Sequence, residues 1–291
     1  MRVCQHCGSG WSFSDWTCPS CGSRPLERDG IVYFAPDLAG GSGRDAVYQH
    51  DALFSAEQSH FWFRGREKLV IWALRRHFPA ATKLLDVGCG RGSLLDGLRH
   101  TLEGGQLAGA ELLDAGLQLA RSRLSDVELY QADALALPFD REFDVVTSCD
   151  VLEHFDDDGA VVRELFRSVV PGGGIVVTVP QHRWLWSAAD AYSHHRRRYE
   201  RRELVSLIER AGFVVERVTS FVTTLLPVVS LVRLWQRHFA DGFDPAAELR
   251  INAVQNTLCA KLLDADLVSI RLGMSLPVGG SLLAVARRPG D

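Results

Sequence analysis

The 291-residue sequence lacks any uncharged apolar run long enough to cross a membrane as a helix. A spanning helix needs about 20 consecutive apolar residues, so we expect no transmembrane segment. The opening residues, MRVCQHCGSG, also lack the apolar core of a secretory signal. We therefore expect a cytoplasmic protein, in which free thiols persist.

The sequence also lacks an excess of positive charge. Its formal net charge is −4, which argues against the broad electrostatic attraction that nucleic-acid-binding proteins use. We therefore expect no nucleic-acid partner. The length is sufficient for one large α/β domain and a small additional module.

Cysteine is scarce outside the first 21 residues, where four of the seven cysteines form two Cys-x-x-Cys pairs. An odd total without a secretory signal argues against a disulfide framework. Tetrahedral zinc takes four thiolates, and two such pairs supply them from opposite sides. We predict a zinc ribbon over residues 1–35 in which zinc is structural, because four protein ligands leave no open position. The predicted ligands are Cys4, Cys7, Cys18 and Cys21.

Two details of this ribbon follow from the neighbouring residues. Gly8 and Gly22 each follow a cysteine pair, where the backbone turns tightly. His6 lies inside the first pair, but the four cysteines already complete the coordination. A role of the ribbon in substrate recognition or partner docking stays open beside the structural role.

Residues 36–79 are predicted to connect the ribbon to the main domain. Residues 36–44 are rich in glycine and predict a linker, and residues 45–78 show helical periodicity. This stretch carries Phe54 and the run Phe61-Trp-Phe63. Such aromatic side chains indicate either packing against the next domain or a lid over a ligand.

From residue 80 to residue 291, apolar strands alternate with glycine-containing loops and helices. This alternation predicts an α/β domain with a parallel sheet covered by helices on both faces. The helices are predicted at 93–100, 112–123, 159–169 and 203–211. The first six strands are predicted at 83–87, 106–110, 127–130, 143–149, 174–179 and 213–218.

A glycine-rich loop joins the first of these strands to its helix. Its sequence is Asp86-Val-Gly88-Cys-Gly90-Arg-Gly92, and glycines there allow a sharp turn and a close approach to a ligand. Dinucleotide-binding enzymes use similar loops. Their Gly-x-Gly-x-x-Gly spacing is absent, because Ser93 occupies the place of the third glycine.

The ends of the following strands carry acidic residues in a fixed order. Glu111 ends the second strand, and Gln131-Ala-Asp133-Ala134 follows the third. Asp150-Val-Leu-Glu-His154 follows the fourth strand, and Pro171-Gly-Gly-Gly174 precedes the fifth. In this order, the segments resemble the motifs of class I S-adenosylmethionine-dependent methyltransferases. They are most similar to small-molecule enzymes such as those of quinone biosynthesis.

This resemblance implies the fold and the cofactor site. It implies a doubly wound, mostly parallel seven-stranded sheet over residues 80–291, with an antiparallel last strand at 281–287. It also implies that Glu111 binds the ribose hydroxyls of S-adenosylmethionine and that Asp133 contacts the adenine amino group. The implied cofactor-binding residues are Asp86, Gly88, Cys89, Gly90, Glu111, Leu112, Asp133, Ala134, Cys149 and Asp150.

The acceptor side is predicted from residues that follow the fourth and fifth strands. His154, His195 and Tyr192 are candidates for a base that removes a proton from the acceptor. The arginine run at 196–202 indicates either a solvated helix face or a site for phosphate or carboxylate. Residues 221–275 predict a helical insertion that packs as a lid, pairs with another subunit or rests on a membrane surface.

We therefore expect methyl transfer from S-adenosylmethionine to an oxygen, nitrogen or carbon atom of a small organic acceptor. The arginines and the apolar insertion suit a phosphate-bearing, saccharide or lipid-like acceptor. Two alternatives stay open. One is an RNA methyltransferase that uses the zinc ribbon for recognition, and the other is a non-catalytic protein that binds S-adenosylmethionine. The oligomeric state is left open as well.

Overall fold

The computed structural model describes residues 1–13, 15–40, 59–99, 104–239 and 251–290. Part of the helical periodicity predicted at 45–78, including Phe54, lies outside the described residues. The same holds for the end of the predicted linker, for the last residue of the helix predicted at 93–100, and for residues 240–250 of the predicted insertion.

The described chain contains a two-stranded sheet and a nine-stranded central sheet. The strands are β1 (Arg2–Val3), β2 (Gly10–Trp11), β3 (Leu26–Arg28), β4 (Ile31–Tyr33), β5 (Lys83–Val87), β6 (Gln106–Glu111), β7 (Glu128–Gln131), β8 (Phe143–Cys149), β9 (Val169–Pro180), β10 (Val214–Phe221) and β11 (Ser281–Arg287).

Eight α-helices accompany these strands in the described residues. None of them is long and apolar enough to cross a membrane. The helices are α1 (Phe61–His77), α2 (Ser93–Arg99), α3 (Asp114–Arg123), α4 (Asp158–Ser168), α5 (Ala188–Tyr192), α6 (Arg201–Arg210), α7 (Leu226–Phe239) and α8 (Ala253–Arg271).

The central sheet has the order β10-β11-β9-β8-β5-β6-β7-β4-β3. Strands β5 to β9 are parallel, whereas β11 lies antiparallel between β9 and β10. The prediction of a doubly wound, mostly parallel sheet is therefore confirmed. Strands β6 and β7 lie on one side of β5, and β8 and β9 lie on the other. The strand order therefore reverses between β5 and β8. Ligands of such folds bind at the carboxyl ends of the strands beside this reversal.

Residues 80–291 supply the seven predicted strands, β5 to β11, and the N-terminal segment adds two more to the sheet. β4 pairs in parallel with β7, and β3 pairs antiparallel with β4. The physical reason is that all three residues of β4 are buried, and the outer edge of β7 offers them free backbone hydrogen-bonding groups. The apolar run Gly30-Ile-Val-Tyr-Phe34 predicts a short strand, but it does not predict the attachment of that strand to the central sheet.

Buried side chains fill both faces of the sheet, because successive residues of a strand point in opposite directions. In β5, Leu84 faces one core, whereas Leu85 and Val87 face the other. Helices α1, α2, α3 and α8 cover the first face, and α4 and α6 cover the second. Both faces of the central strands are therefore shielded, and their carboxyl ends stay accessible.

Helix α1 is fixed in place by α8. The backbone N–H of Phe61 donates to Asn256 Oδ1 at 2.8 Å, and Asn256 Nδ2 donates to the carbonyl of Ser59 at 2.8 Å. Further along, Gly65 lies against the buried side chain of Leu263, where a Cβ atom would overlap Leu263 Cδ2. Glycine therefore allows the two helices to approach closely, and this contact sets the position of the residues at the start of α1.

We expect Gly65→Ala to destabilise the protein by about 1–3 kcal/mol through overpacking against Leu263. In an exposed helix the same change would stabilise by up to about 1 kcal/mol, so the sign reports the helix contact. Urea unfolding measures the free energy of unfolding. The double variant Gly65→Ala/Leu263→Ala serves as the control, and it should lose less stability than the sum of the single variants. Strict additivity, or a stabilised Gly65→Ala protein, would contradict this assignment.

Candidate functional site

The glycine loop after β5 adopts a backbone that other residues tolerate poorly. Gly88, Gly90 and Gly92 have φ angles of 75°, 53° and 76°, in the left-handed region that favours glycine. A Cβ atom at Gly88 would also overlap Val151. The N–H groups of Gly88 and Cys89 donate to the carbonyl of Ala110 at 2.8 and 3.1 Å. The loop is therefore held tightly against the end of β6.

Glu111 connects this loop to the end of β6. Its carboxylate accepts hydrogen bonds from the backbone N–H groups of Gly90 and Leu113, each at 3.0 Å. The residue is 8% exposed and lines a cavity. These hydrogen bonds hold the Glu111 carboxylate at the edge of the cavity, and its binding of two hydroxyl groups stays a prediction.

Two cavities lie beside the glycine loop, and both are lined by Gly88 and Asp150. We call them the glycine-loop cavities; their volumes are about 290 and 170 Å³. Predicted cofactor-binding residues on the larger cavity are Gly88, Glu111, Leu112, Ala134 and Asp150. Those on the smaller cavity are Asp86, Gly88, Cys89, Gly90, Cys149 and Asp150.

Asp133 is the one predicted cofactor residue that lines neither glycine-loop cavity. Its neighbours Ala132 and Ala134 line the larger one. The Asp133 carboxylate accepts a hydrogen bond from the N–H of Leu135 at 2.9 Å. It stabilises the turn after β7, and its predicted contact with adenine stays a prediction.

Asp86 is buried at the floor of the smaller cavity. Burial raises the pKa of its carboxyl to about 7, although the hydrogen bond from Thr147 and the positive charge of Arg66 each lower that pKa. The Thr147 hydroxyl donates to Asp86 Oδ1 at 2.6 Å. The charge of Asp86 therefore depends strongly on what occupies the cavity beside it.

Arg66 was not predicted as a site residue, yet it lies at the centre of the site. It projects from α1, forms an ion pair with Asp150 and lies 4.8 Å from the ring centroid of Trp62. Asp150 has a φ of 56°, an uncommon conformation for aspartate. No sequence motif indicates this position for Arg66, because an arginine on an amphipathic helix is ordinarily solvated.

A third cavity of about 470 Å³ lies between the start of α1, the segment after β9 and α7. We call it the aromatic cavity. Its apolar wall comprises Phe61, Trp62, Phe63, Leu185, Val222 and Val229. Asp150, Ser193 and His195 line both this cavity and the larger glycine-loop cavity. A group bound beside Glu111 and a group bound among the aromatic side chains would therefore meet at these three residues.

His195 is held in place by a buried carboxylate. Its Nδ1 lies 3.0 Å from Asp190 Oδ1, and Asp190 also accepts from Arg198 Nε at 2.8 Å. Burial alone would raise the pKa of Asp190, but the hydrogen bond from His195 and the charge of Arg198 lower it to about 2. Asp190 is therefore ionised at neutral pH and orients the imidazole of His195.

Two further groups face His195 at this junction. Glu153 is fully buried, and burial together with the charge of Asp150 raises the pKa of its carboxyl well above the usual range. Glu153 Oε1 lies 3.9 Å from His195 Nε2. The rings of His154 and His195 are perpendicular, with centroids 4.9 Å apart. His195 thus lies between the buried Glu153 carboxyl and a second imidazole.

The remaining predicted acceptor residues differ in position. His154 lines the larger glycine-loop cavity, whereas Tyr192 lines neither that cavity nor the aromatic one as the described residues form them. Within the arginine run, Arg201 donates to the carbonyls of Val218 and Leu276 at 2.7 and 2.6 Å. Arg201 therefore stabilises the loop packing beside β10.

The four N-terminal cysteines converge as the sequence predicted. Their Sγ atoms all lie within 4.8 Å of one another, with Cys4–Cys21 at 3.7 Å and Cys7–Cys18 at 3.6 Å. Two similar turns present them, since the N–H groups of Gly8 and Gly22 each donate to the first cysteine's carbonyl at 2.9 Å. This arrangement can hold a metal ion.

Comparison with known proteins finds similarity to methyltransferases. Residues 85–177 match the family described as "Methyltransferase domain". A probable S-adenosylmethionine-dependent methyltransferase of Mycolicibacterium smegmatis is 30% identical over 162 residues, covering 55% of this chain and 62% of the relative. The ubiquinone biosynthesis O-methyltransferase of Pseudomonas putida is 38% identical over 112 residues, covering 36% and 47%. The chain thus spans about half to three fifths of these relatives.

Solved structures show the same fold. Phosphoethanolamine N-methyltransferase 2 of Haemonchus contortus, in complex with S-adenosyl-L-methionine, superposes with a TM-score of 0.56 at 17% identity, covering 85% of this chain and 60% of the other. A chain of the Haloferax volcanii complex between the Trm112 methyltransferase activator and a methyltransferase also gives 0.56, at 19% identity, covering 85% and 98%. The protein therefore carries a methyltransferase domain and is homologous to S-adenosylmethionine-dependent methyltransferases.

Proposed function

We propose that this protein transfers a methyl group from S-adenosylmethionine to a hydroxyl group of a small acceptor with an apolar or planar body. The observation that carries the proposal is the junction of two kinds of cavity. The larger glycine-loop cavity meets the aromatic cavity at Asp150, Ser193 and His195. The homology to S-adenosylmethionine-dependent methyltransferases supports the identity of the donor.

The residues around the glycine loop fit this donor. When bound, S-adenosylmethionine supplies an electrophilic methyl group on a positively charged sulfur. Glu111 accepts hydrogen bonds from hydroxyl groups, and the glycines allow the backbone to approach the ligand closely. The carboxylates of Asp86 and Asp150 attract positive charge on their side of the cavities.

The aromatic cavity fits an acceptor of modest size. Its aromatic and aliphatic wall favours a planar or apolar body, because such surfaces exclude water and pack closely. Arg66 and Asp150 lie where the cavities meet, so the ion pair limits how far an acceptor can enter. Holding both reactants in line replaces an encounter in solution, which lowers the barrier.

We assign the base to His195. His195 lines both the larger glycine-loop cavity and the aromatic cavity. The ionised Asp190 orients the ring and stabilises the imidazolium that forms when the acceptor loses its proton. The raised pKa of the Glu153 carboxyl favours its neutral form beside His195. His154 contacts His195 edge to face and stabilises its position.

We further propose that the four-cysteine cluster binds zinc. A tetrahedron with Zn–S bonds of about 2.3 Å has edges of about 3.8 Å, and the Cys7–Cys18 and Cys4–Cys21 Sγ–Sγ distances are 3.6 and 3.7 Å. Cys4, Cys7, Cys18 and Cys21 would occupy all four positions, which makes the site structural. A segment of this size has little core of its own, so metal binding would supply much of its folding free energy.

The proposed zinc segment is connected to the cofactor site through Gln131. Its side-chain Oε1 accepts from the N–H of Ala35 at 3.0 Å, and its Nε2 donates to the carbonyl of Leu112 at 2.8 Å. Leu112 follows Glu111 and lines the larger glycine-loop cavity. Gln131 is fully buried, so loss of the N-terminal segment would expose this link to water.

We expect Glu111→Ala to weaken binding of S-adenosylmethionine more than tenfold, a loss above about 1.4 kcal/mol. The variant removes hydrogen bonds to a charged group, each of which contributes about 1.5–3 kcal/mol. Isothermal titration calorimetry measures the affinity. Glu209→Ala, which removes an exposed carboxylate from α6, is the matched control and should bind like the parent. Equal affinities for the parent, Glu111→Ala and Glu209→Ala proteins would show that S-adenosylmethionine binds away from Glu111.

We expect His195→Ala to lower kcat by about 10²–10⁴-fold, as the loss of a general base does, whereas His154→Ala should lower it less than tenfold. Asp190→Asn should also lower kcat, because the imidazole loses its orienting carboxylate. The defect of His195→Ala should shrink as pH rises, since an acceptor hydroxyl that is already ionised needs no base. Steady-state rates across pH test this. A His195→Ala defect that stays constant with pH would refute the role as base.

We expect about one zinc per chain, and chelation should weaken binding of S-adenosylmethionine about tenfold. Gln131→Met should weaken it as well while zinc content stays unchanged, because the variant breaks only the connection. Elemental analysis gives the zinc content, and calorimetry gives the affinity. Cys259→Ser, outside the cluster, should change neither. Donor affinity that is independent of both zinc and Gln131 would show that the two sites are uncoupled.

A further inference from the structure

Beyond the proposed active site, the structure contains a cavity lined mainly by arginines. This arginine basin has a volume of about 800 Å³ and lies between α6, the start of α4 and the segments before and after α5. Six arginines and two carboxylates line it, which leaves four positive charges in excess. The whole chain has a formal net charge of −4. The arginines are Arg183, Arg196, Arg197, Arg198, Arg202 and Arg210.

Three of these arginines have close carboxylate partners. Arg198 pairs with Asp190, Arg197 pairs with Asp158 at 3.0 Å, and Arg183 pairs with Glu203. These pairs hold the guanidinium groups in fixed positions around the basin. The carboxylates of Asp158 and Glu203 are already engaged, so they do not neutralise the other arginines.

The remaining arginines are not neutralised within the described part of the chain. Arg202 and Arg210 are exposed and form no ion pair there, and Arg196 reaches Asp156 only at 3.8 Å. Arg202, Ser206 and Arg210 are spaced by four residues on α6, so they share one helix face toward the basin. Arginine side chains that lie four residues apart on a helix, or that face the same cavity, repel each other. An anion that binds between them relieves this repulsion.

The basin lies directly behind the proposed active site. The segment at 193–195 lines the larger glycine-loop cavity, and the next three residues, 196–198, line the basin. Arg198 contributes to the walls of both the basin and the aromatic cavity. Leu185 lines the aromatic cavity, and its neighbour Trp186 lines the basin. The two cavities are therefore separated by single side chains.

We propose that the arginine basin binds a phosphate or diphosphate group carried by the acceptor. Guanidinium groups match phosphate oxygens with paired N–H donors, and several of them around one anion give a strong, oriented contact. Ser206 adds a hydroxyl donor. An acceptor with an anionic group in the basin would extend its other end past Arg198 into the aromatic cavity. That part of the inference rests on the proposed function, whereas binding of the anion itself does not.

The test measures binding of inorganic pyrophosphate to the full-length protein by isothermal titration calorimetry. Arg202→Gln/Arg210→Gln should weaken binding at least tenfold, because it removes both unpaired charges. Arg75→Gln/Arg76→Gln makes the same change of charge on exposed residues of α1, and it should stay within twofold of the parent. Binding should weaken as salt concentration rises, since exposed charges are screened.

A second variant tests the basin by gain of affinity. Glu203→Gln should tighten pyrophosphate binding about threefold, because it frees Arg183 from its ion pair. Glu203 also accepts a hydrogen bond from the N–H of Glu200 at the start of α6, and glutamine preserves that bond. A loss of affinity in this variant would contradict the proposal, since no positive charge has been removed.

Two further measurements complete the test. One distinguishes a phosphate on a small acceptor from a phosphate on a lipid surface, and the other distinguishes failure of the arginine basin from failure of the proposed donor site. Sedimentation with phosphatidylglycerol vesicles tests for a lipid surface. Vesicle binding that depends on Arg202 and Arg210, with no binding of free pyrophosphate, would overturn the acceptor site. S-adenosylmethionine affinity is measured in every variant and should not change. Pyrophosphate that binds the parent and both double-arginine variants equally, or fails to bind the parent, would refute the basin while leaving the donor site intact.

Discussion

The ion pair between Arg66 and Asp150 is the contact on which the arrangement of the site depends. Asp150 lines all three cavities of the proposed active site, and Arg66 brings the start of α1 over the end of β8. The pair is largely shielded from water, and removing one partner of such a pair leaves an uncompensated charge that costs several kcal/mol. The close approach of α1 and α8 at Gly65 supports the same geometry from outside.

Much of the central fold could be predicted from the sequence, because its strands are short apolar runs bounded by glycine or acidic residues. The predicted bounds at 83–87, 143–149 and 281–287 coincide with β5, β8 and β11. The glycine loop was predictable from the glycines that follow β5, whereas the role of Glu111 at the end of β6 was implied by the resemblance to class I methyltransferases. Nine of the ten predicted cofactor residues line the glycine-loop cavities, and their roles there stay predictions.

The parts that escaped prediction depend on contacts between distant segments. Arg66 gains its position only when α1 packs across the sheet, and Asp190 becomes an orienting carboxylate only because Arg198 and His195 surround it. Neither belongs to a periodic pattern or a spaced motif. The same holds for β4, whose three apolar residues predict a strand but not the strand that it joins. Local sequence specifies which segments form helices and strands. Which segments pack together depends on the apolar surface that each contact buries in the folded chain.

The pairing of β4 with β7 has a consequence for the behaviour of the protein in a crowded solution. Without β3 and β4, β7 would form the border of the sheet, with unpaired backbone groups beside apolar side chains. Such a border is a template for pairing with a second molecule and for aggregation. The N-terminal segment covers it with a short hairpin whose outer strand, β3, is exposed and carries Glu27 and Arg28. A cysteine cluster that holds this segment in place thereby helps to keep the sheet closed to other chains.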